Sequence, residues 1–68
     1  MSIKNPELTS RQLEILQLIV AGKTNREIGI KLIISEKTVE KHLAKMFQEI
    51  GVSSRVEAAV WAVQNNKV

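Results

Sequence analysis

The segment from Thr24 to Lys45 constrains the fold more than any other part of the chain. It opens with Thr-Asn-Arg-Glu, a pattern typical of a capped helix start, and Ser35 supplies a second N-cap eleven residues later. Ile33 and Ile34 alone separate the end of the first helical pattern from that second cap. The segment therefore predicts a short helix, a turn of three residues and a second, longer helix.

Start and stop signals predict one further helix on each side of this segment. Residues 9–12 and 54–57 fit the capping-box pattern, and Gly22 and Gly51 stand where a helix ends in a left-handed residue. No segment has the alternation typical of a strand. We therefore predict an all-α fold with four helices, over residues of about 10–21, 25–32, 36–50 and 55–65.

Residues 1–7 have no helical periodicity and contain the only proline, Pro6. This segment predicts a flexible arm or the end of a linker, in front of one domain over residues 8–68. A linker from an upstream domain and a native start at Met1 both fit the pattern. The sequence leaves open whether the chain is complete or a C-terminal fragment.

Composition excludes several classes of function. The chain has 68 residues, no cysteine and one histidine, so disulfides and thiolate metal sites are excluded and no metal site is expected. No set of nucleophile and base is apparent, which argues against an enzyme, and no cofactor is expected. No apolar run is long enough for a membrane span, and the N-terminus lacks a signal-peptide pattern. We expect a cytoplasmic domain without a membrane partner.

The positive charge of the chain lies in its central third. Segment 23–45 holds six basic and three acidic residues, which accounts for the whole net charge of +3, whereas the flanking segments are neutral. A localised positive field is typical of proteins that bind a polyanion. A solvated basic surface without a ligand is the alternative that charge by itself leaves open.

The third predicted helix divides into two faces. At about 100° per residue, its apolar residues fall between about 180° and 280°, whereas Lys37, Lys41 and Lys45 fall between about 0° and 80°. A short helix, a tight turn and a second helix form the helix-turn-helix geometry, in which the second helix enters the major groove of duplex DNA. We therefore expect double-stranded DNA as the partner. The candidate DNA-contacting residues are Thr24, Asn25, Ser35, Lys37, Thr38, Lys41, His42 and Lys45.

The fourth predicted helix is apolar nearly all round, and a terminal helix of so small a domain can hide only one face in its own core. One stripe holds Ala58, Trp61 and Ala62. The other stripe is the candidate dimerisation surface, although burial of both stripes in the core is the alternative. Its residues are Val56, Ala59, Val60 and Val63.

A larger set of positions, spread over nearly the whole chain, forms one pattern: Leu8, Thr9, Leu16, Leu18, Ile19, Gly22, Asn25, Glu27, Ile28, Leu32, Ile34, Ser35, Thr38, Val39, His42, Val52, Arg55 and Ala58. In register and without gaps, this pattern resembles the DNA-binding domain of LuxR-type transcription regulators, the module of NarL-like response regulators and small GerE-like regulators. The resemblance implies a four-helix domain, with helix 3 as the recognition helix and helix 4 as the dimerisation helix on two half-sites. It also implies the effector domain of a response regulator or a small stand-alone regulator, with RNA polymerase as a further candidate partner.

Two positions depart from the family pattern. Gly29 stands where alanine is usual, and a glycine inside a helix is typical of a close approach by another backbone. Glu40 stands where a basic, base-contacting residue is frequent. A carboxylate there can accept from cytosine N4, whereas Ala44 can only contact a thymine methyl. Direct readout is therefore expected to depend mainly on Lys41. The role of Arg55, as a phosphate ligand or as a bond within the domain, stays open.

Two alternatives compete with a dimeric DNA-binding regulator. A sigma-factor-like promoter-reading domain shares the pattern between Glu27 and Val39, but the apolar helix 4 argues against it. A protein-interaction module could use the same bundle without DNA. The lysine row opposite the predicted core argues against that second alternative.

Overall fold

The computed structural model describes residues 7–67, and these residues form four α-helices: α1 (Ser10–Val20), α2 (Asn25–Leu32), α3 (Glu36–Ile50) and α4 (Arg55–Gln64). No strand occurs between residues 7 and 67. The all-α prediction is confirmed, and every predicted helix end lies within one residue of the observed end. Apart from Glu7, the predicted arm lies outside the described residues.

Each helix begins after a residue whose side chain accepts a hydrogen bond from a backbone N–H of the first turn, as the capping patterns in the sequence predict. Thr9 and Thr24 complete their capping boxes, and Ser35 accepts from the N–H of Thr38. The third predicted box is wrong in one detail. Ser54 caps α4, but the Glu57 carboxylate accepts from the N–H of Ser53 at 2.6 Å instead of the N–H of Ser54.

The backbone angle of Ser54 explains this difference. Its φ is −148°, whereas φ is −69° at Thr9 and −80° at Thr24. The more extended angle turns the N–H of Ser54 away from the first turn of the helix. The N–H of the preceding residue takes its place as donor to Glu57.

All four helices end in the same hydrogen-bonded motif. A residue with positive φ follows the helix, and the next N–H donates to a carbonyl five residues earlier, as in the Schellman motif. The four donor and acceptor pairs are Lys23 to Leu18, Ile34 to Gly29, Val52 to Phe47 and Lys67 to Ala62, at 2.8 to 3.0 Å. The left-handed residues are Gly22, Ile33, Gly51 and Asn66, so both predicted glycine stops are confirmed.

Ile33 is the exception among these four residues. Glycine and asparagine tolerate the left-handed region, whereas a β-branched residue there is strained. Ile33 has a φ of 58° and its side chain is 90% exposed, so little packing compensates for the strain. The turn between α2 and α3 therefore contains the one β-branched residue with a left-handed φ among residues 7–67.

The core lies where α1, α3 and α4 meet and where α2 packs against α3. The largest fully buried side chains are Ile15, Leu16, Ile28, Val39 and Met46. Burial of these apolar side chains is the main favourable contribution to folding in a domain of this size.

Helical spacing alone does not identify the buried stripe of α1. Leu13, Leu16, Ile19 and Val20 recur at the spacing of one helical face, yet Leu13 and Val20 are half-buried, whereas Ile15 is fully buried. The observed stripe follows positions 12, 15, 16 and 19, and its first member is polar. Gln12 is buried because both ends of its amide are bonded: Oε1 accepts from the N–H of Thr9 at 2.9 Å, and Nε2 donates to Glu49 Oε1 at 2.8 Å.

Gly29 brings α2 close to the start of α3, as the sequence predicted. A methyl group built on its Cα would lie 2.7 Å from the carbonyl oxygen of Ile34. That distance is shorter than the closest approach of carbon and oxygen atoms that are not bonded. The oxygen belongs to the backbone, so it cannot move away by a side-chain rotation. An alanine at this position would require a displacement of the turn.

No helix between residues 7 and 67 combines the length and the apolar character that crossing a membrane requires.

We expect Ile33→Gly to raise the free energy of unfolding by about 1 kcal/mol. The left-handed region costs an L-residue about 1–2 kcal/mol, of which the entropy of glycine in the unfolded chain offsets a part. Urea unfolding followed by circular dichroism measures the change. Gly51→Ala is the matched control, since Gly51 has a φ of 77° and an added Cβ meets no atom within 4 Å. The control should lose stability by a similar amount. A loss of stability in Ile33→Gly would contradict the assignment of strain.

Candidate nucleic-acid interface

The row of lysines on α3 lies on the surface. Lys37, Lys41 and Lys45 are exposed, whereas the opposite side of the helix supplies four buried core residues. The two faces predicted from the sequence are therefore confirmed. Among residues 7–67 the one ion pair joins Arg11 and Glu14 at 3.7 Å, so no carboxylate of that range lies within ion-pair distance of the lysine row.

The side chains between the lysines vary in exposure. Glu40 and Ala44 are exposed, so each can reach a ligand that covers this face. Thr38 and His42 are half-buried, at the border between the lysine row and the core. At about 100° per residue, His42 lies about 140° from Lys37, which agrees with this border position.

The N-terminus of α3 presents a pair of hydroxyl groups. Ser35 Oγ accepts from the N–H of Thr38 at 3.0 Å, and the two side-chain oxygens lie 3.0 Å apart. The bond between them uses one of two hydroxyl hydrogens. Whichever residue donates, the other keeps a hydrogen that can be donated to an anion at this helix start, where the helix dipole is also favourable.

The N-terminus of α2 places a carboxylate beside Thr24 and Asn25, two of the candidate DNA-contacting residues. The Glu27 carboxylate accepts from the N–H of Thr24 at 2.8 Å, and Thr24 Oγ1 accepts from the N–H of Glu27 at 3.1 Å. The hydrogen bond from the Thr24 backbone is the largest cause that lowers the pKa of Glu27 below its ordinary value, and the Lys23 charge also lowers it. Glu27 is therefore ionised at neutral pH and already occupies one donor of this helix start.

Asn25, the first residue of α2, is held by Arg55. Arg55 Nη1 donates to Asn25 Oδ1 at 2.7 Å, and Arg55 Nη2 donates to the carbonyl oxygen of Lys23, also at 2.7 Å. The open question about Arg55 is thus answered in part, because its guanidinium makes two hydrogen bonds within the domain. The sequence indicated neither partner, since both lie about thirty residues away.

The two stripes of α4 are in different environments. Ala58 and Ala62 are fully buried, whereas Val56, Val60 and Val63 are 73%, 49% and 59% exposed. Ala59 is half-buried and packs against the core at the border between the stripes. The alternative in which both stripes are core is therefore wrong, and an apolar stripe is left on the surface.

The domain has the helix-turn-helix arrangement: the short helix α2, a tight turn, and the basic helix α3, whose outer face is exposed. The family model of bacterial regulatory proteins, luxR family (GerE), matches residues 6–62. The chain belongs to this family. It is a DNA-binding domain of a transcription regulator and not an enzyme.

Three relatives illustrate the similarity. The transcriptional regulatory protein LiaR of Bacillus subtilis is 46% identical over 67 residues, which are 98% of this chain and 32% of LiaR. The spore germination protein GerE of B. subtilis is 46% identical over 55 residues, which are 81% of this chain and 74% of GerE. The crystal structure of the response regulator ChrA, from a heme-sensing two-component system, has a TM-score of 0.88 at 37% identity.

Coverage differs between these relatives. The solved structure of GerE matches 88% of this chain and 90% of its own length, with a TM-score of 0.82 and 40% identity. The match to ChrA covers 100% of this chain and 34% of ChrA. The chain therefore spans about a third of LiaR and of ChrA, and most of GerE.

Proposed function

We propose that the chain binds duplex DNA in a sequence-specific manner, with α3 in the major groove and α4 pairing two copies on two half-sites. The observation that carries the proposal is the exposed lysine row on the face of α3 opposite the core, which makes no ion pair with any carboxylate of residues 7–67. Membership of the luxR family supports DNA as the partner.

The dimensions of α3 suit the groove. Its 15 residues correspond to a length of about 22 Å at 1.5 Å per residue. Consecutive lysines of the row are one turn apart, or about 6 Å. The major groove is about 12 Å wide and admits one helix. In this arrangement the central lysine lies deepest in the groove, and those on either side lie nearer the two phosphate backbones.

We assign different roles to the residues of the face. Lys41 contacts base edges, where guanine O6 and N7 are the favoured acceptors, and Lys37 and Lys45 bind phosphates. Glu40 accepts from cytosine N4 or excludes a phosphate from its vicinity, and Ala44 contacts a thymine methyl. With so few side chains reading bases directly, the shape and deformability of the DNA contribute to discrimination.

Helix starts and border residues supply further phosphate contacts. Donors for such contacts are the remaining hydroxyl hydrogen of the Ser35 and Thr38 pair, the amide of Asn25 and the hydroxyl of Thr24. His42 lies beside the lysine row of α3. Such contacts fix the register of the protein on the duplex and carry no sequence information themselves.

The exposed valine stripe of α4 supports pairing of two copies. Val56, Val60 and Val63 lie along one side of the helix, with Ala59 at the border. An apolar stripe on the surface of a small domain is typical of an interface, and a two-fold axis would bury the same stripe from both copies. The pair would then present two copies of α3 to two half-sites.

The relatives favour two settings for this domain. LiaR and ChrA are about three times as long as the matched region, and ChrA is described as a response regulator. The setting inferred from them is the effector domain of a response regulator. GerE, which the chain nearly spans, supports a small stand-alone regulator, and for either setting we propose a cytoplasmic location. In both settings the bound domain would act on transcription together with RNA polymerase.

Loss of one phosphate contact should change the salt dependence of binding. We expect Lys45→Ala to reduce the slope of log K against log salt by about 0.9, and Lys41→Ala to reduce affinity and discrimination between duplexes. Fluorescence anisotropy with a labelled 30-base-pair duplex, titrated at several salt concentrations, measures both. Lys31→Ala is the control, because Lys31 is exposed on α2 outside the lysine row. Equal effects of all three substitutions would contradict the assignment of α3.

A charge in the valine stripe should prevent pairing without unfolding the domain. We expect Val60→Asp to bind a two-half-site duplex as independent monomers, because two buried carboxylates would face each other in the pair. Analytical ultracentrifugation and binding to duplexes with one or two half-sites measure this effect. Gln17→Asp is the control, since it makes the same charge change on an exposed position of α1. A loss of helical circular dichroism in Val60→Asp would show that the stripe is required for the fold.

A further inference from the structure

One guanidinium connects three segments of the domain. Arg55 is the first residue of α4, and its two terminal nitrogens donate to Asn25 Oδ1 and to the carbonyl oxygen of Lys23, both at 2.7 Å. Lys23 belongs to the motif that ends α1, and Asn25 begins α2. The C-terminal end of α1 and the N-terminal ends of α2 and α4 therefore meet at a single half-buried side chain.

This contact determines which end of the Asn25 amide is available to a ligand. A guanidinium has donors only, so it must bond the amide oxygen, and the NH2 group is then left at the other end. Among residues 7–67, that NH2 group makes no hydrogen bond, and no side-chain nitrogen or oxygen is buried without a partner. The Asn25 nitrogen is thus open to solvent, beside the first-turn N–H groups of α2.

The rest of this helix start makes the orientation of Asn25 important. The Glu27 carboxylate already occupies the N–H of Thr24 and places a negative charge at the same end of α2. An anion that binds here therefore depends on the donors that remain, of which the Asn25 amide is one. If the amide turned over, its oxygen would face the anion and repel it.

We propose that Arg55 is a positioning residue for DNA binding, which holds the Asn25 amide with its NH2 group towards a phosphate of the duplex. This inference rests on the proposed function and deepens it. Two of the five N–H donors of Arg55 bond acceptors of the domain, and in this proposal the guanidinium acts through Asn25 and not on the phosphate itself. Arg55 is also the first residue of α4. Its hydrogen bond to Asn25 therefore connects the helix proposed to pair two copies with the proposed phosphate contact in each copy.

A double-mutant cycle with Asn25→Ala and Arg55→Gln tests the proposal. Binding to the labelled 30-base-pair duplex is measured for the wild type, both single variants and the double variant, over a range of salt concentrations and below the unfolding temperature of each. We expect each single variant to lose about tenfold in affinity, the size of one hydrogen bond to a charged group. The double variant should lose no more than either single variant, because the two residues act through one contact.

The salt slope separates positioning from direct binding. Asn25 is neutral, and in this proposal Arg55 makes no phosphate contact. The salt slope should therefore be unchanged in all three variants, whereas loss of a direct phosphate contact by Arg55 would lower it by about 0.9. Arg55→Lys keeps the positive charge but has one terminal nitrogen in place of two. This variant should therefore also bind the duplex more weakly, with an unchanged salt slope. This variant keeps the test valid if Arg55→Gln does not fold.

The possible results lead to different conclusions. Additive losses, a lower slope in the Arg55 variants, or full affinity in Asn25→Ala would each overturn the inference. If at the same time the wild type binds and Lys41→Ala weakens binding, the proposed function stands without it. A wild type that does not bind duplex DNA contradicts the proposed function itself.

Discussion

The amphipathic character of α3 is the constraint on which the rest of the structure depends. Val39, Leu43, Met46 and Ile50 must be buried for a domain of this size to have a core, and together they leave one orientation for the helix. The same orientation brings Lys37, Lys41 and Lys45 to the surface at intervals of one turn. The core and the candidate DNA-binding face are thus two consequences of one arrangement of residues along a single helix.

Polar contacts then set the positions of the other helices around α3. Gln12 connects the start of α1 to α3 through Glu49, and Arg55 connects the start of α4 to Lys23 and to the first residue of α2. Gly29 lets α2 approach the turn before α3. Hydrogen bonds of this kind contribute modestly to stability, but each one defines a single relative position of two helices.

Local signals in the sequence were sufficient to predict the helices, because caps and left-handed stops act within five residues. Contacts between distant residues were beyond such signals. The burial of Gln12 was missed because its partner Glu49 lies thirty-seven positions away, and the bonds of Arg55 were missed for the same reason. At the candidate site, the exposure of the lysine row followed from helical periodicity. The exposure of one stripe of α4 was one of two alternatives, because both sides of this helix are apolar. The packing of α4 against α1, with Ala58 and Ala62 in the core, decides between them.

The central claim is that the lysine face of α3 occupies the major groove of DNA. Methylation interference on a duplex selected from a random pool tests it most directly, because guanine N7 lies in the major groove and adenine N3 in the minor groove. The account predicts interference at guanine N7 in two inverted half-sites, and loss of that pattern in Lys41→Ala. Interference at adenine N3 alone, or no enrichment of any sequence in the selection, would contradict it.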